Sequence, residues 1–337
     1  MDSRVIDLIS DPPIECPVCS KHTLKYFDYF DRIWNKEFIF SELIILGCQN
    51  CGFGFSWPEL PNTTIEKFYA FKYRDHSSPF YINFNKLKRP IIDHQRQISQ
   101  LLLAKQFVEF KSGDKFLDIG PGDGVSLSTA QVVLDNPTLM TVEGNKGASE
   151  AFKKLYLIKN YGCIDAVLKS GVKAKIILMS HSLEHFKLDW LNLLLANLKQ
   201  LIEKDGVLVI EVPNVDFRIH DNYRIEDSPH FLFFSLDSLR ELFKKNGWTI
   251  LFSNTCGEPY EVWWERLSMG LPNKHQFSFI RVSKKILMKF IPNFIKKIVF
   301  NKIYLFKSSQ RSPVVKIKSN EYSYGGNRTC LRIVLTL

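Results

Sequence analysis

The 337-residue sequence lacks any run of 18 consecutive apolar residues, so no segment is long enough to cross a bilayer as a helix. Its start lacks a basic stretch followed by an apolar one, so a secretory signal is not expected and the expected location is the cytoplasm. Internal repeats and low-complexity tracts are absent too, which argues against solenoids and disordered scaffolds. Acidic residues are missing from one stretch. Between Arg266 and Asn320 there are 13 Lys/Arg and no Asp or Glu, whereas the remainder holds 32 basic against 35 acidic residues. The net charge of +10 therefore belongs to one segment, and any polyanion argument concerns that segment alone.

What is present is ordinary globular composition, 45% hydrophobic and 24% charged, over a length that allows two domains. Of seven cysteines, four lie as Cys16-x-x-Cys19 and Cys48-x-x-Cys51, with 28 residues between the pairs. In a reducing compartment such pairs read as a metal site rather than disulfides. Four thiolates suit tetrahedral zinc, and a closed set has no open position, so the expected role is structural. An iron–sulfur centre or a redox dithiol stays open as an alternative. The intervening residues read as short strands, LKYFDYFDRIW and FIFSELIILGC, which predicts a zinc-binding ribbon over 1–62. Residues 63–112 read as a helical linker, capped at Thr63-Thr64 and restarted at Pro90.

From Lys115 the pattern changes. Apolar strands at 115–119, 138–143, 175–180, 206–212, 248–253 and 330–337 alternate with amphipathic helices, which predicts an α/β domain with a parallel sheet over 113–337. The first strand ends at Asp118 and runs into Gly120-Pro-Gly122-Asp-Gly124. Bare backbone there lets a ligand approach closely. The spacing is G-x-G-x-G and not the dinucleotide G-x-G-x-x-G, which argues against a dehydrogenase. Asp118 and Asp123 would repel a pyrophosphate but tolerate a cationic ligand. Glu143, nineteen residues after Gly124, ends the second strand, where an acid can accept both ribose hydroxyls.

These segments resemble the class I S-adenosylmethionine-dependent methyltransferases. LDIGPGDG is similar to their first motif and MTVEGN to their ribose-binding motif. SHSLEHF is similar to the segment after their fourth strand, and LIEKDGVLVIEVPN to their fifth-strand block. HFLFFSLDSLRELFKKNGW matches a further block, and the resemblance spans about 115–253. It implies a Rossmann-like seven-stranded methyltransferase sheet and the donor S-adenosylmethionine. It also implies donor contacts at Asp118, Gly120, Gly122, Gly124, Glu143, Asp165 (the adenine acid) and Ser182. The cysteine module and its Phe68-Tyr69…Tyr73 link are similar to a subgroup that includes sugar C-methyltransferases, which implies a nucleotide-sugar or surface-glycan precursor as acceptor. Lys175 stands where the family's fourth strand opens with an acid, and the subgroup's further C-terminal domain has no counterpart. The subgroup's Y-x-x-E-H segment appears as Ile225-Glu-Asp-Ser-Pro-His230, without its Tyr and Glu. An acceptor of another kind therefore stays open.

A hydroxyl or carbon acceptor needs its proton removed, so a base belongs near the carboxyl ends of the strands. The candidates are His181, Glu184, His185, His220, Tyr223 and His230. His230 is the first choice because the resemblance places a histidine there, and His185 is the second. The basic stretch 283–307, inside an insert near 260–320, interleaves Lys with apolar residues. It reads as packed helix, peripheral membrane element or lid. An RNA-binding or RNA-modifying protein is the alternative, but no RNA-recognition motif accompanies the charge.

Overall fold

The computed structural model describes residues 12–29, 39–74, 81, 95–156, 158–219, 229–263 and 324–337. In chain order the strands and helices begin with β1 (Leu24–Asp28), β2 (Ile44–Cys48), β3 (Gly54–Trp57), α1 (Asn62–Lys67) and α2 (Gln95–Ala104). Next come β4 (Lys115–Ile119), α3 (Val125–Val133), β5 (Thr138–Val142), α4 (Lys146–Tyr156), β6 (Lys159–Asn160) and α5 (Ile164–Lys169). The rest are β7 (Ala174–Ser180), α6 (Leu188–Leu201), β8 (Ile202–Pro213), β9 (Leu232–Phe233), α7 (Leu236–Lys245), β10 (Thr249–Pro259) and β11 (Arg328–Thr336).

Continuous apolar runs make strands that are buried on both faces, as in β4, β5, β7, β8 and β11 of the large sheet. Its order is β10-β11-β8-β7-β4-β5-β6. Ladders β4–β5, β4–β7, β5–β6 and β7–β8 are parallel, and β11 runs antiparallel to β8. Strand β4 has β5 on one side and β7 on the other, so the chain order reverses at β4. A crevice opens at such a reversal, outside the carboxyl ends of the strands. Helix α6 buries Leu191, Leu194, Leu195, Leu198 and Leu201, a stripe at three- and four-residue spacing, in the core on one face of the sheet.

The small sheet is an antiparallel meander of β1, β2 and β3, and β9 adds to its edge at β3. Ser56 also donates its backbone N–H to Phe231 O at 2.9 Å. Phe53 and Phe55 share one apolar core with Phe234, Leu239 and the interior of the large sheet. The cysteine ribbon is thus sewn to the segment that carries His230. At its exit α1 begins after Pro61 with no side-chain cap, where the sequence predicts capping by Thr63-Thr64. Five residues of π-helix, Phe68–Lys72, follow. Helix α2 ends at Ala104, and the residues up to 112 are turn and coil rather than helix.

Chain contacts divide the protein into two units, Met1–Gly257 with Glu321–Leu337, and Glu258–Asn320. Pro90, His220, Tyr223 and the basic stretch 283–307 lie outside the described residues. Among the described residues no helix is long and apolar enough to cross a membrane.

Candidate active site

The carboxyl end of β4 delivers Asp118, 1% exposed, into the crevice. Ser126 on α3 donates its hydroxyl to this carboxylate, yet burial dominates and pushes the Asp118 carboxyl up to about 7. The chain then turns with Gly120 at φ +77° and Gly124 at φ +76°, left-handed values that tolerate no ordinary side chain. A methyl group on Gly120 would lie 2.9 Å from Ser182 Cβ, and one on Gly124 would lie 2.7 Å from the Phe152 ring. The turn is therefore pressed against β7's exit on one side and α4 on the other. Gly120 N–H donates to Val142 O at 3.0 Å, tying the turn to β5.

Glu143 follows β5 directly. Its Oε1 accepts the Asn145 N–H at 2.8 Å, and burial raises its carboxyl above the ordinary range. Asn160, in the edge strand β6, accepts from the Glu143 N–H and donates to its carbonyl. Arg74 reaches the same crevice: its Nη2 lies 3.3 Å from where a side chain on Gly122 would start, and its charge acts on Glu143. Asp118, the three glycines, Glu143 and Ser182 are thus brought together. Asp165 is exposed in the first turn of α5.

After β7 comes a second group. His181, at φ +53°, precedes a single 3-10 turn, Leu183–His185. Glu184 Oε, a His185 ring nitrogen and a His230 ring nitrogen all lie within 4.8 Å of one another. The two imidazole rings stand 5.0 Å apart. His185 Nδ1 is 2.9 Å from Tyr69 Oη, which itself donates to Pro229 O at 3.1 Å. Burial holds both imidazoles neutral: His185 is lowered, and His230, with His185 beside it, is pushed down to about 3. Burial works against ionising Glu184, but the His181 cation beside it wins and its carboxyl is held down to about 2.

Behind this group lies a buried charge cluster. Glu211 on β8 and Arg332 on β11 are both fully buried, and Arg332 Nε donates to Glu211 Oε2 at 2.7 Å. Arg96 and His181 approach Glu211 Oε1 at 3.2 and 3.5 Å. His181 therefore bridges Glu211 and Glu184, and those carboxylates, with Cys330, outweigh burial and Arg96 and raise it well above its ordinary value. Lys175, at the other end of β7, pairs with Asp205 at 2.5 Å. Sequence reasoning missed Asn160, Arg74 and the Glu211–Arg332 pair. Tyr69 had a weak signal, its place in an aromatic link.

Cys16, Cys19, Cys48 and Cys51 form the remaining cluster, with Sγ atoms 3.7 Å apart for Cys16–Cys51 and 3.6 Å for Cys19–Cys48. Four sulfurs about 2.3 Å from a tetrahedral ion stand roughly 3.8 Å apart, so the donor set and its spacing fit zinc(II).

A family model described as "Methyltransferase domain" matches residues 92–252. No curated protein matches the chain. Among solved structures, the chain is similar to coclaurine N-methyltransferase bound to N-methylheliamine and S-adenosylhomocysteine. The identity is 15%, covering 92% of this chain and 84% of that one, with a TM-score of 0.42. It is also similar to an S-adenosylmethionine-dependent methyltransferase from Archaeoglobus fulgidus (14%, 73% and 95% covered, 0.44). A cyclopropane synthase from Mycobacterium tuberculosis stands at 14%, with 72% and 84% covered and a TM-score of 0.44. The family match runs over the glycine turn, Asp118 and Glu143, all at the carboxyl ends of the strands. Over residues 92–252, a little under half of the chain, the sequence matches a methyltransferase domain.

Proposed function

We propose that this enzyme methylates a small acceptor, a nucleotide sugar or surface-glycan precursor, at a site between the glycine turn and His230. One observation carries this reading: Ser182 abuts Gly120, and two and three residues later Glu184 and His185 lie close to His230. The donor pocket and the imidazole pair are thereby neighbours. Asp118, Gly120, Gly122, Gly124, Glu143 and Ser182 hold S-adenosylmethionine, with Glu143 accepting from the ribose hydroxyls and Asp165 on the adenine side. The donor supplies a methyl group on a cationic sulfur, and that charge disappears as the methyl moves. Two carboxylates near the glycine turn suit a cation in the ground state. His230 and His185 are the catalytic side chains, and their ring lone pairs prepare the acceptor for attack. Pre-organising donor and acceptor in this way lowers the barrier by several kcal/mol, on the order of 7 or more in favourable cases.

The four cysteines take zinc as a structural ion in a ribbon over 1–62, joined by 63–112 to the catalytic domain over 113–337. The enzyme works in the cytoplasm, and the stretch 283–307 supplies peripheral contact with anionic lipid. The sugar-like acceptor draws support from the resemblance of the cysteine module and of the segment around His230 to sugar C-methyltransferases. An RNA-binding or RNA-modifying protein is not favoured. A tritiated-methyl assay against a nucleotide-sugar panel tests the reading. Label in a nucleotide sugar supports it, and label only in RNA overturns it. His230→Ala should abolish that turnover and keep S-adenosylhomocysteine binding intact.

A further inference from the structure

Three side chains on the acceptor side bring one potential ligand atom each into a single cluster. Glu184 Oε and one ring nitrogen each of His185 and His230 lie within 4.8 Å of one another. Glu184 is 1% exposed, and among the described residues neither carboxylate oxygen finds a hydrogen-bond donor. Among the described residues the His181 cation is the one positive neighbour within ion-pair reach of this buried carboxylate, and a second cation would complete it. His181 stands 3.4 Å from Oε1 without hydrogen-bond geometry, and it is shared with Glu211 at 3.5 Å. Among the described residues no ion pair reaches Oε2.

The surroundings also fix which imidazole nitrogen is free. Pro229 O can only accept, and it lies 3.3 Å from His185 Nδ1. Tyr69 Oη lies 2.9 Å from the same Nδ1 and donates to Pro229 O at 3.1 Å, so a hydrogen on Nδ1 satisfies both oxygens and leaves the Nε2 lone pair to a ligand. A ligating histidine characteristically has its other nitrogen committed to a backbone carbonyl in this manner. Tyr29 Oη donates to His230 O at 2.8 Å and pins the third residue by its backbone.

We propose that Glu184, His185 and His230 form a second metal site, which takes a first-row divalent ion such as zinc. Two imidazoles and one carboxylate are a borderline nitrogen–oxygen donor set, distinct in kind from the four thiolates of the ribbon. Three protein ligands leave positions open, and an acceptor would fill one with an oxygen or nitrogen lone pair. The proposal rests on the acceptor side assigned above and specifies how the imidazole lone pairs act there.

Zinc content per chain tests it, measured by mass spectrometry on full-length protein equilibrated with excess zinc and desalted. Glu184→Gln and His230→Ala are each expected to hold one zinc fewer than the wild type, two falling to one. Calorimetry with S-adenosylhomocysteine on the same samples shows that fold and donor site persist, and the isosteric Glu184→Gln guards against collapse of the other variant. Equal zinc content in all three proteins overturns the site. If S-adenosylhomocysteine binds while zinc content is equal, methyl transfer stands and only the metal site falls. If zinc drops by one but S-adenosylhomocysteine fails to bind wild type, the metal site stands and the methyl-transfer reading falls.

Discussion

Asn160 grips Glu143 by its backbone from the neighbouring strand: Oδ1 accepts the Glu143 N–H at 3.0 Å, and Nδ2 donates to the Glu143 carbonyl at 2.9 Å. Asn160 also takes the Thr141 hydroxyl at 2.9 Å and donates to Ser149 Oγ at 2.9 Å, so one amide joins β5, β6 and α4. The carboxylate assigned to the ribose is thus aimed by a residue that never touches it. Asn160→Ala leaves the Glu143 N–H and carbonyl without these partners. We expect S-adenosylhomocysteine affinity to fall about tenfold, which is ~1.4 kcal/mol, within the range for losing such a bond. Calorimetry on the variant checks this, and unchanged affinity would show that the grip is dispensable.

In the proposed donor site, Asp118 should make binding depend on pH. Burial raises its carboxyl to about 7 from the unfolded value of 3.8. A raised carboxyl favours the folded state fully below about pH 4, and that contribution is lost as the pH rises through 7. A donor that pairs with the ionised carboxylate must displace its proton. S-adenosylmethionine affinity should therefore rise with pH, by up to tenfold per unit, and level off above about pH 7. Asp118→Asn should flatten the profile. Titration calorimetry at pH 5.5, 6.5 and 7.5 gives the slope, and a flat wild-type profile would place the donor elsewhere.

Gly124 cannot be replaced cheaply. Its φ of +76° and the Phe152 ring, 2.7 Å from an added methyl, penalise Gly124→Ala twice, through backbone strain and overpacking. Overpacking alone costs about 1–3 kcal/mol, and the strain adds to it. Urea denaturation should show a loss of unfolding free energy of that size. A loss below ~0.5 kcal/mol would mean that α4 gives way freely.

Six of the seven strands of the large sheet could be read from the sequence because each contains an apolar run, whereas the two-residue edge strand β6, Lys159–Asn160, could not. KFLDI became β4, and the other expected strands appear within a few residues of their positions. Asp118, the glycines and Glu143 were legible for the same reason: they sit at strand ends, where periodicity stops. Asn160 and β9 were not. Each acts through pairing with residues distant in sequence, and a two-residue strand leaves no periodic trace. Arg332 was read as one residue of an apolar strand. Only the position of Glu211, 121 residues earlier, explains how a guanidinium comes to be fully buried there.

The cysteine ribbon should stiffen the segment that carries His230. Strand β3 pairs with β9 through Gly54↔Phe233 and Phe55↔Leu232, and Ser235 Oγ donates to Cys51 O beside the second knuckle. Lys245 Nζ reaches Pro17 O at 3.2 Å at the first knuckle. A zinc site in peptide models supplies roughly 10–16 kcal/mol of folding free energy, so losing one ligand should loosen the ribbon well before the large sheet. In Cys48→Ser, amide exchange should therefore rise in 44–57, and Leu232 and Phe233 should rise with it, while β4 and β7 keep their protection. Turnover should fall more than S-adenosylhomocysteine affinity, because the donor residues belong to the large sheet. Faster exchange confined to 44–57, with 231–235 still protected, would show that the ribbon and the His230 segment are mechanically independent.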